Sequence, residues 1–287
     1  MAGRLDVVAT PIGNLGDLSA RAREALASAE LICAEDTRRS AQLLNAIGVS
    51  GRLISLHDYN EQSRIETLVQ QLRSGKVIAL VSDAGTPLLS DPGFALVRAA
   101  ADAGVEIRSI PGPSALTAAL SIAGLATDRF VFEGFPPSRQ AERRAAFERL
   151  RTEERTLVFF EAPHRIAVTL EDLAAVFGAE RPATLARELT KLHETIYRGT
   201  LAELHERANK DSDMARGEIT LIVAGAANDT AREGDQQLLT RALQLLLPEL
   251  PPARAAAIAS QLAGCKRNTA YELALRMRAA IKSGGAD

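Results

Sequence analysis

Five short apolar, β-branched runs alternate with amphipathic helical patterns over the first 125 residues of this chain. The runs fall at 6–9, 30–34, 52–56, 76–81 and 105–109, and the helical patterns near 19–28, 37–47, 61–74, 93–103 and 113–123. Strands this short and this apolar are buried on both faces, and the intervening helices supply the crossovers that parallel pairing requires. The expectation is an α/β domain over residues 1–125 with a mostly parallel sheet. The pattern then tightens. Strand-like runs at 130–135, 156–160, 184–187, 195–199 and 218–224 surround a charged helix at 138–151 and helices near 163–177 and 200–209. This predicts a second α/β domain over 126–227 with a mixed sheet and more antiparallel pairing. Residues 228–235 read as a polar linker, and helical patterns at 235–247, 251–263 and 267–282 predict a small helical C-terminal extension over 228–287, of helix-turn-helix type.

Composition closes off several function classes. A length of 287 residues holds about two cores, and a net charge of −2 gives no global basic field that would advertise nucleic acid. Cys33 and Cys265 have no metal-ligand spacing, no His/Cys/Asp cluster suggests zinc, and two thiols far apart suit a reducing cytoplasm. The chain runs almost directly into its first strand pattern, so no targeting segment is expected. Its longest apolar stretch, 115–126, is interrupted by Thr117, Ser121 and Gly124 and is too short for a bilayer.

Polar residues gather where the strands end. The densest group is Ser82-Asp83-Ala84-Gly85-Thr86-Pro87-Leu88-Leu89-Ser90-Asp91-Pro92-Gly93, after the fourth run, at the position where open α/β sheets bind ligands. Asp83 to Thr86 are expected to hold a ligand, and Ser90 to Gly93 to brace the turn and start the next helix. Thr10-Pro11-Ile12-Gly13-Asn14-Leu15-Gly16-Asp17 follows the first run, Glu35-Asp36-Thr37-Arg38-Arg39 the second, and His57-Asp58-Tyr59-Asn60-Glu61 the third. Each also has an ordinary reading as turn or helix cap, and at this point both stand. In the second domain, Glu161-Ala162-Pro163-His164-Arg165 and 187–194 place cations beside carboxylates at strand ends. Exposed ion pairs of that kind usually contribute little, but two sets at strand ends favour a site. The chain contains no G-x-G, no P-loop and no G-x-S-x-G elbow, which argues against dinucleotide enzymes, P-loop NTPases and α/β-hydrolases.

Taken together, these segments are distinctive. T-P-I-G-N-L-x-D (10–17), E-D-T-R (35–38), H-x-x-N-E (57–61), S-D-A-G-T-P-x-x-S-D-P-G (82–93), P-G-P (111–113), E-x-P-H-R (161–165), R-E-L-T-K (187–191) and G-E (217–218) occur in this order. The set closely resembles the bacterial 16S ribosomal RNA ribose 2′-O-methyltransferases of the tetrapyrrole-methylase superfamily over roughly residues 5–225, and the last segment resembles that family's helical extension. One departure is Tyr59, where many relatives carry His. The resemblance implies two α/β domains of the tetrapyrrole-methylase type, with S-adenosylmethionine folded into the cleft between them. The cofactor would be held by Pro11, Ile12, Ser82, Asp83, Ala84, Gly85, Thr86, Pro113, Ser114, Ala115, Phe160 and Glu161. The substrate would be a cytidine 2′-hydroxyl in the decoding region of 16S rRNA, on the 30S subunit, and the enzyme a cytoplasmic homodimer.

Methyl transfer from a sulfonium is an in-line displacement that needs no metal in principle, and a poorly nucleophilic ribose hydroxyl calls for a base or a cation near the alkoxide. Lys191, Glu188, Arg187, Asp36, Asn60 and Glu61 are the candidates, with Lys191 stabilising the alkoxide and Glu188 orienting it. RNA phosphates are expected at Arg38, Arg39, His57, Arg139, Arg143, Arg144, Arg165, Lys266 and Arg267. A solvated helix face remains an equal reading for 139–144.

Overall fold

The computed structural model describes residues 3–57, 60–226, 228–265 and 267–283. Strands β1 (Arg4–Val8), β2 (Leu31–Ala34), β3 (Leu53–Ser55), β4 (Val77–Val81) and β5 (Glu106–Ile110) form an all-parallel sheet in the order β3-β2-β4-β1-β5. Side chains alternate across a strand, so β2 sends Ile32 and Ala34 to one face and Leu31 and Cys33 to the other; all four are buried. Helices α1 (Ala20–Ser28) and α2 (Thr37–Ala46) cover the first face through Ala22, Leu26 and Leu44. The second face is covered by α3 (Glu61–Arg73) and α4 (Phe94–Asp102), through Leu68, Leu72, Leu96 and Ala100.

The second sheet comprises β6 (Phe130–Gly134), β7 (Thr156–Glu161), β8 (Pro182–Arg187), β9 (Thr195–Thr200) and β10 (Ile219–Val223), ordered β6-β7-β10-β8-β9. Only β6 and β7 run parallel; the other three pairings are antiparallel. On one face lie α6 (Gln140–Leu150), α7 (Ile166–Phe177) and α8 (Leu201–Lys210), over a core containing Phe147, Phe159, Leu170, Leu173 and Leu204. The other face is covered by α5 (Ala115–Ala123), whose Leu116, Ala119, Leu120 and Ala123 pack on Val158, Ala186 and Ile222. Thus α5, which precedes residue 125 in sequence, packs against the second sheet. Its apolar stripe marks it as buried but does not say against which sheet.

Residues 228–235, read from sequence as linker, begin a long helix: α9 spans Asn228–Leu246. With α10 (Pro252–Leu262) and α11 (Arg267–Ser283) it encloses a separate core in which Ala255, Ala256, Ala259, Ala270 and Ala274 allow close helix approach around Leu239 and Leu243. Among the described residues, no helix is long and apolar enough to cross a membrane.

Candidate active site

The strand order creates a crevice. Helices α1 and α4, which follow the adjacent strands β1 and β4, lie on opposite faces of the sheet, so the loops after these two strands part. They are stitched at their bases: Thr10 N donates to Gly85 O at 2.9 Å and Gly85 N to Thr10 O at 3.0 Å. The Thr86 hydroxyl donates to Pro113 O at 3.1 Å, tying in the start of α5. Beyond these loops is a cavity of about 430 Å³, within the range of small-molecule sites.

Its first lip is Ile12, Glu35, Arg39, Asp83 to Thr86, Leu89 to Asp91, Ser114 and Ala115. Asp83 is central to it. Its Oδ1 accepts from Asp36 N at 2.9 Å and its Oδ2 pairs with Arg39 at 3.2 Å, which joins the β4 loop to the start of α2. Asp36 is the N-cap of α2, accepting from Arg38 N at 2.8 Å and pairing with the Arg38 guanidinium at 2.8 Å. The Arg38 side chain holds that carboxyl well below the ordinary carboxylate range. Asp91 behaves oppositely. Burial, and then the charge of Glu35, push it up to about 6, a shift that the Ser82 hydroxyl partly offsets and Asp83 reinforces. Ser114 precedes α5 without making a side-chain cap, so the first turn of α5 presents its N–H groups beside the cavity.

The second lip comes from β7, β8 and β10. Thr220 pairs in register with Phe160 on one side and Ala186 on the other, so these three side chains form a row across the sheet, and all line the cavity. Phe135, half exposed just before the Pro136-Pro137 turn, packs its ring 5.7 Å from Phe160. The polar groups of this lip are engaged with one another. Buried Glu161 accepts from its neighbour Ala162 N at 2.7 Å and from the Thr169 hydroxyl at 2.5 Å, and pairs with Arg165 at 3.1 Å. Glu188 Oε1 accepts from Lys191 Nζ at 2.8 Å and from Glu218 N at 2.9 Å, while Lys191 also pairs with Glu218 at 3.2 Å. For Glu188, burial raises the pKa but is outweighed by Lys191 and the Glu218 N–H, so the net shift is downward; for Lys191, burial lowers it but the two carboxylates prevail, so it ends raised. Two glycines permit this packing. A Cβ at Gly217 would stand 2.4 Å from the Glu188 carboxyl, and one at Gly13 would stand 2.3 Å from Lys191 Cγ.

Backbone strain marks the same two loops. Among the described residues, the non-glycine residues with left-handed φ are Leu88 (76°), Ser90 (70°), Glu188 (53°) and Thr190 (67°), two in each loop. Such conformations cost about 1–3 kcal/mol each and cluster at functional sites.

Of the residues expected to hold cofactor, Ile12, Asp83, Ala84, Gly85, Thr86, Ser114, Ala115, Phe160 and Glu161 line this cavity. Ser82 is buried behind it, its hydroxyl donating to Ala84 O at 3.2 Å, and Pro113 supplies the carbonyl that receives Thr86; Pro11 is half-buried in the β1 loop and is not in the lining. The expected catalytic group is dispersed. Arg187 is buried, donating to Arg216 O at 2.9 Å and His193 O at 3.1 Å, and so shapes the loop after β8. Asn60 folds onto its own turn, accepting from His57 N at 3.0 Å and lying 3.1 Å from His57 Nε2. Glu61 is corrected outright: it is buried, and its carboxylate accepts from Leu96 N at 2.9 Å, capping α4. Lys191 meets the cavity through Glu218.

The expected RNA-contacting set also divides. Arg143 does not fit that role: it is 3 % exposed and clamped to the fully buried Asp172, with Nε donating at 2.8 Å. Arg144 pairs with the same carboxylate at 2.6 Å, and Arg165 is held between Glu161 and Pro136 O. Arg38 and Arg39 project from the first lip, Arg139 is exposed with a Glu142 partner at 3.3 Å, and Arg267 is exposed at the start of α11. Lys266 and Tyr59 lie outside the described residues.

Other lining residues are not among those expected from sequence to hold the cofactor, among them Leu89, Ser90, Asp91, Phe135, Ala186, Leu189, Gly217, Glu218 and Thr220. Asp91 had a usable signal: Ser82-Asp83 is repeated as Ser90-Asp91 in the same loop. Ala186 and Thr220 had none, because a strand residue reveals its inward face only once register is known. Among the described residues, no group of three or more His, Cys, Asp or Glu is arranged to hold a metal ion.

Comparison with known proteins agrees with this geometry. A profile of the tetrapyrrole (corrin/porphyrin) methylases matches residues 4–205, and one described as the RsmI C-terminal HTH domain matches 233–278. The chain is 50 % identical to ribosomal RNA small subunit methyltransferase I of Xylella fastidiosa (strain Temecula1), over 94 % of this chain and 98 % of that protein. It is 48 % identical to the protein of that name in Pseudomonas aeruginosa (96 % and 98 % covered) and 47 % to that in Escherichia coli O157:H7 (96 % and 96 %). Among solved structures, diphthine synthase superposes with a TM-score of 0.59 at 19 % identity, covering 80 % of this chain and 93 % of that one. Uroporphyrin-III-C-methyltransferase from Thermus thermophilus gives 0.56 at 20 %, with 78 % and 95 % covered. At such identities these two structures speak to the fold alone.

Proposed function

The chain belongs to the ribosomal RNA small subunit methyltransferase I family of the tetrapyrrole methylases, and on that premise we infer which methyl group it moves, and to what. It is a methyltransferase. The donor is S-adenosylmethionine and the acceptor the 2′-hydroxyl of a cytidine in the decoding region of 16S rRNA, presented on the assembled 30S subunit to a cytoplasmic homodimer.

One observation carries the reading: the cavity matches this donor group by group. Glu35 and Asp83 suit its positive sulfonium and ammonium, the open first turn of α5 at Ser114 and Ala115 suits its carboxylate, and Phe160, Ala186 and Leu189 suit its adenine. Bound there, S-adenosylmethionine supplies a methyl group on a positively charged sulfur. The protein's task is then to align an oxygen nucleophile and exclude water. Lys191 puts a positive charge at the rim where an alkoxide would develop, and Glu188 fixes its position. Arg38, Arg39 and Arg139 offer exposed guanidinium groups for RNA phosphates, although the first two must share their charge with Asp36 and Asp83.

The test is to incubate purified 30S subunits with donor carrying a deuterated methyl group, then digest the RNA and weigh its nucleosides. The label is expected in 2′-O-methylcytidine from the decoding region. Label in a base, or in a tetrapyrrole substrate in place of RNA, contradicts the reading. Lys191→Met is expected to lower turnover on 30S subunits by about 10²-fold while donor affinity holds; near-full turnover would remove Lys191 from the chemistry.

A further inference from the structure

The proposed reaction leaves a proton to be removed from the ribose hydroxyl, and this inference rests on that reading. Five carboxylates line the cavity: Glu35, Asp83, Asp91, Glu161 and Glu218. Three are committed to cations, Asp83 to Arg39, Glu161 to Arg165 and Glu218 to Lys191. A carboxylate paired in this way has a weakened affinity for protons. Asp91 has no cation partner among the described residues. It is half-buried in the β4 loop, just after the left-handed residues Leu88 and Ser90, whose strained backbone turns the segment toward the cavity.

We propose that Asp91 is the proton acceptor for the substrate hydroxyl. In the step, the 2′-oxygen forms a bond to the methyl carbon as the methyl–sulfur bond breaks, its electron pair going to sulfur. The hydroxyl proton passes to the Asp91 carboxylate and from there to solvent. The charges balance: a sulfonium and a carboxylate become a thioether and a carboxylic acid. The surroundings suit the role. Glu35 and Asp83 face Asp91 from its own domain, and burial acts with them to push its carboxyl up to about 6, against the Ser82 hydrogen bond; Arg39 is spent on Asp83, and Glu161 and Glu218 lie across the cavity. A base of that strength is mostly ionised at neutral pH and still accepts protons well.

The test compares wild-type protein with Asp91→Asn and Asp91→Glu. Single-turnover methyl transfer on 30S subunits, with donor saturating, is expected to fall about 10²- to 10⁴-fold in Asp91→Asn and to recover partly in Asp91→Glu. The acid limb of the wild-type pH profile should be lost in Asp91→Asn, while calorimetry finds S-adenosylhomocysteine affinity within about threefold of wild type. Independently of activity, carbon-13 spectra of aspartate-labelled protein should contain a carboxyl titrating near pH 6 that is missing from Asp91→Asn. Retention of rate and acid limb in Asp91→Asn overturns the assignment. So does a loss confined to ligand affinity, which would make Asp91 a counter-charge for the donor. If wild-type protein methylates no RNA, the proposed function fails, and the assignment of Asp91 falls with it.

Discussion

The loops after β4 and β8 face each other across the cavity, both carry two left-handed non-glycine residues, and they handle charge in opposite ways. On the second-domain side, charges are neutralised at home: in and beside the loop after β8, Glu188, Lys191 and Glu218 form a closed set and Arg187 is spent on backbone carbonyls, and at the end of β7 Glu161 is held by Arg165 and Thr169. In the loop after β4, carboxylates gather with too few cations, so Asp91 has a proton affinity near neutrality. Strain alone does not distinguish a latch from a reactive surface. Charge balance does: the second domain is a preformed wall, and the first presents Asp91, a carboxylate with no cation partner among the described residues.

This contrast can be broken most forcefully from behind the second wall. Asp172→Ala leaves buried Arg143 without its counter-charge and is expected to cost about 3–5 kcal/mol in denaturant unfolding. A loss below about 1 kcal/mol would mean that the second domain's buried ion pairs do not hold it rigid. Glu61→Ala probes the first domain's support. It removes the acceptor for Leu96 N at the start of α4, directly after the strained loop, and is expected to cost about 1–2 kcal/mol and loosen donor binding. Unchanged donor affinity at reduced stability would mean that the β4 loop holds its shape without α4.

The smallest effect has a distinctive pH signature. The folded Asp91 carboxyl titrates above the ordinary value, at about 6, so the stability it contributes is complete below the ordinary aspartate range and is lost as pH rises through 6. Asp91→Asn removes that loss. The variant should therefore gain stability over wild type at pH 8, by ~1 kcal/mol after allowing for a half-exposed group, and the gain should shrink toward pH 4. A gain independent of pH would remove the contrast between the two lips.

Much of this architecture was legible from periodicity. Short β-branched runs and amphipathic segments located every strand and helix of the two sheets to within a few residues, because helix and strand periods are local properties. Strand-end clusters likewise pointed to a crevice, since loops at the carboxyl ends of parallel strands share one edge. What stayed hidden depends on contacts between distant residues. Glu61 reads as a free acid until α4 packs beside it, Arg143 as a surface charge until α7 brings Asp172, and α5 as part of the first domain until its stripe meets β8 and β10. From sequence Asp91 reads as a brace of the turn before α4; its exposure to the cavity depends on backbone angles that composition does not encode.

Under the proposed function, one methyl donor is gripped by both lips at once. A crystal structure with S-adenosylhomocysteine tests it most directly. Ligand contacts are expected to Asp83 through Thr86 and Ser114–Ala115 on one side and to Phe160, Ala186 and Thr220 on the other. A ligand held by a single sheet, or bound outside this cavity, would contradict it.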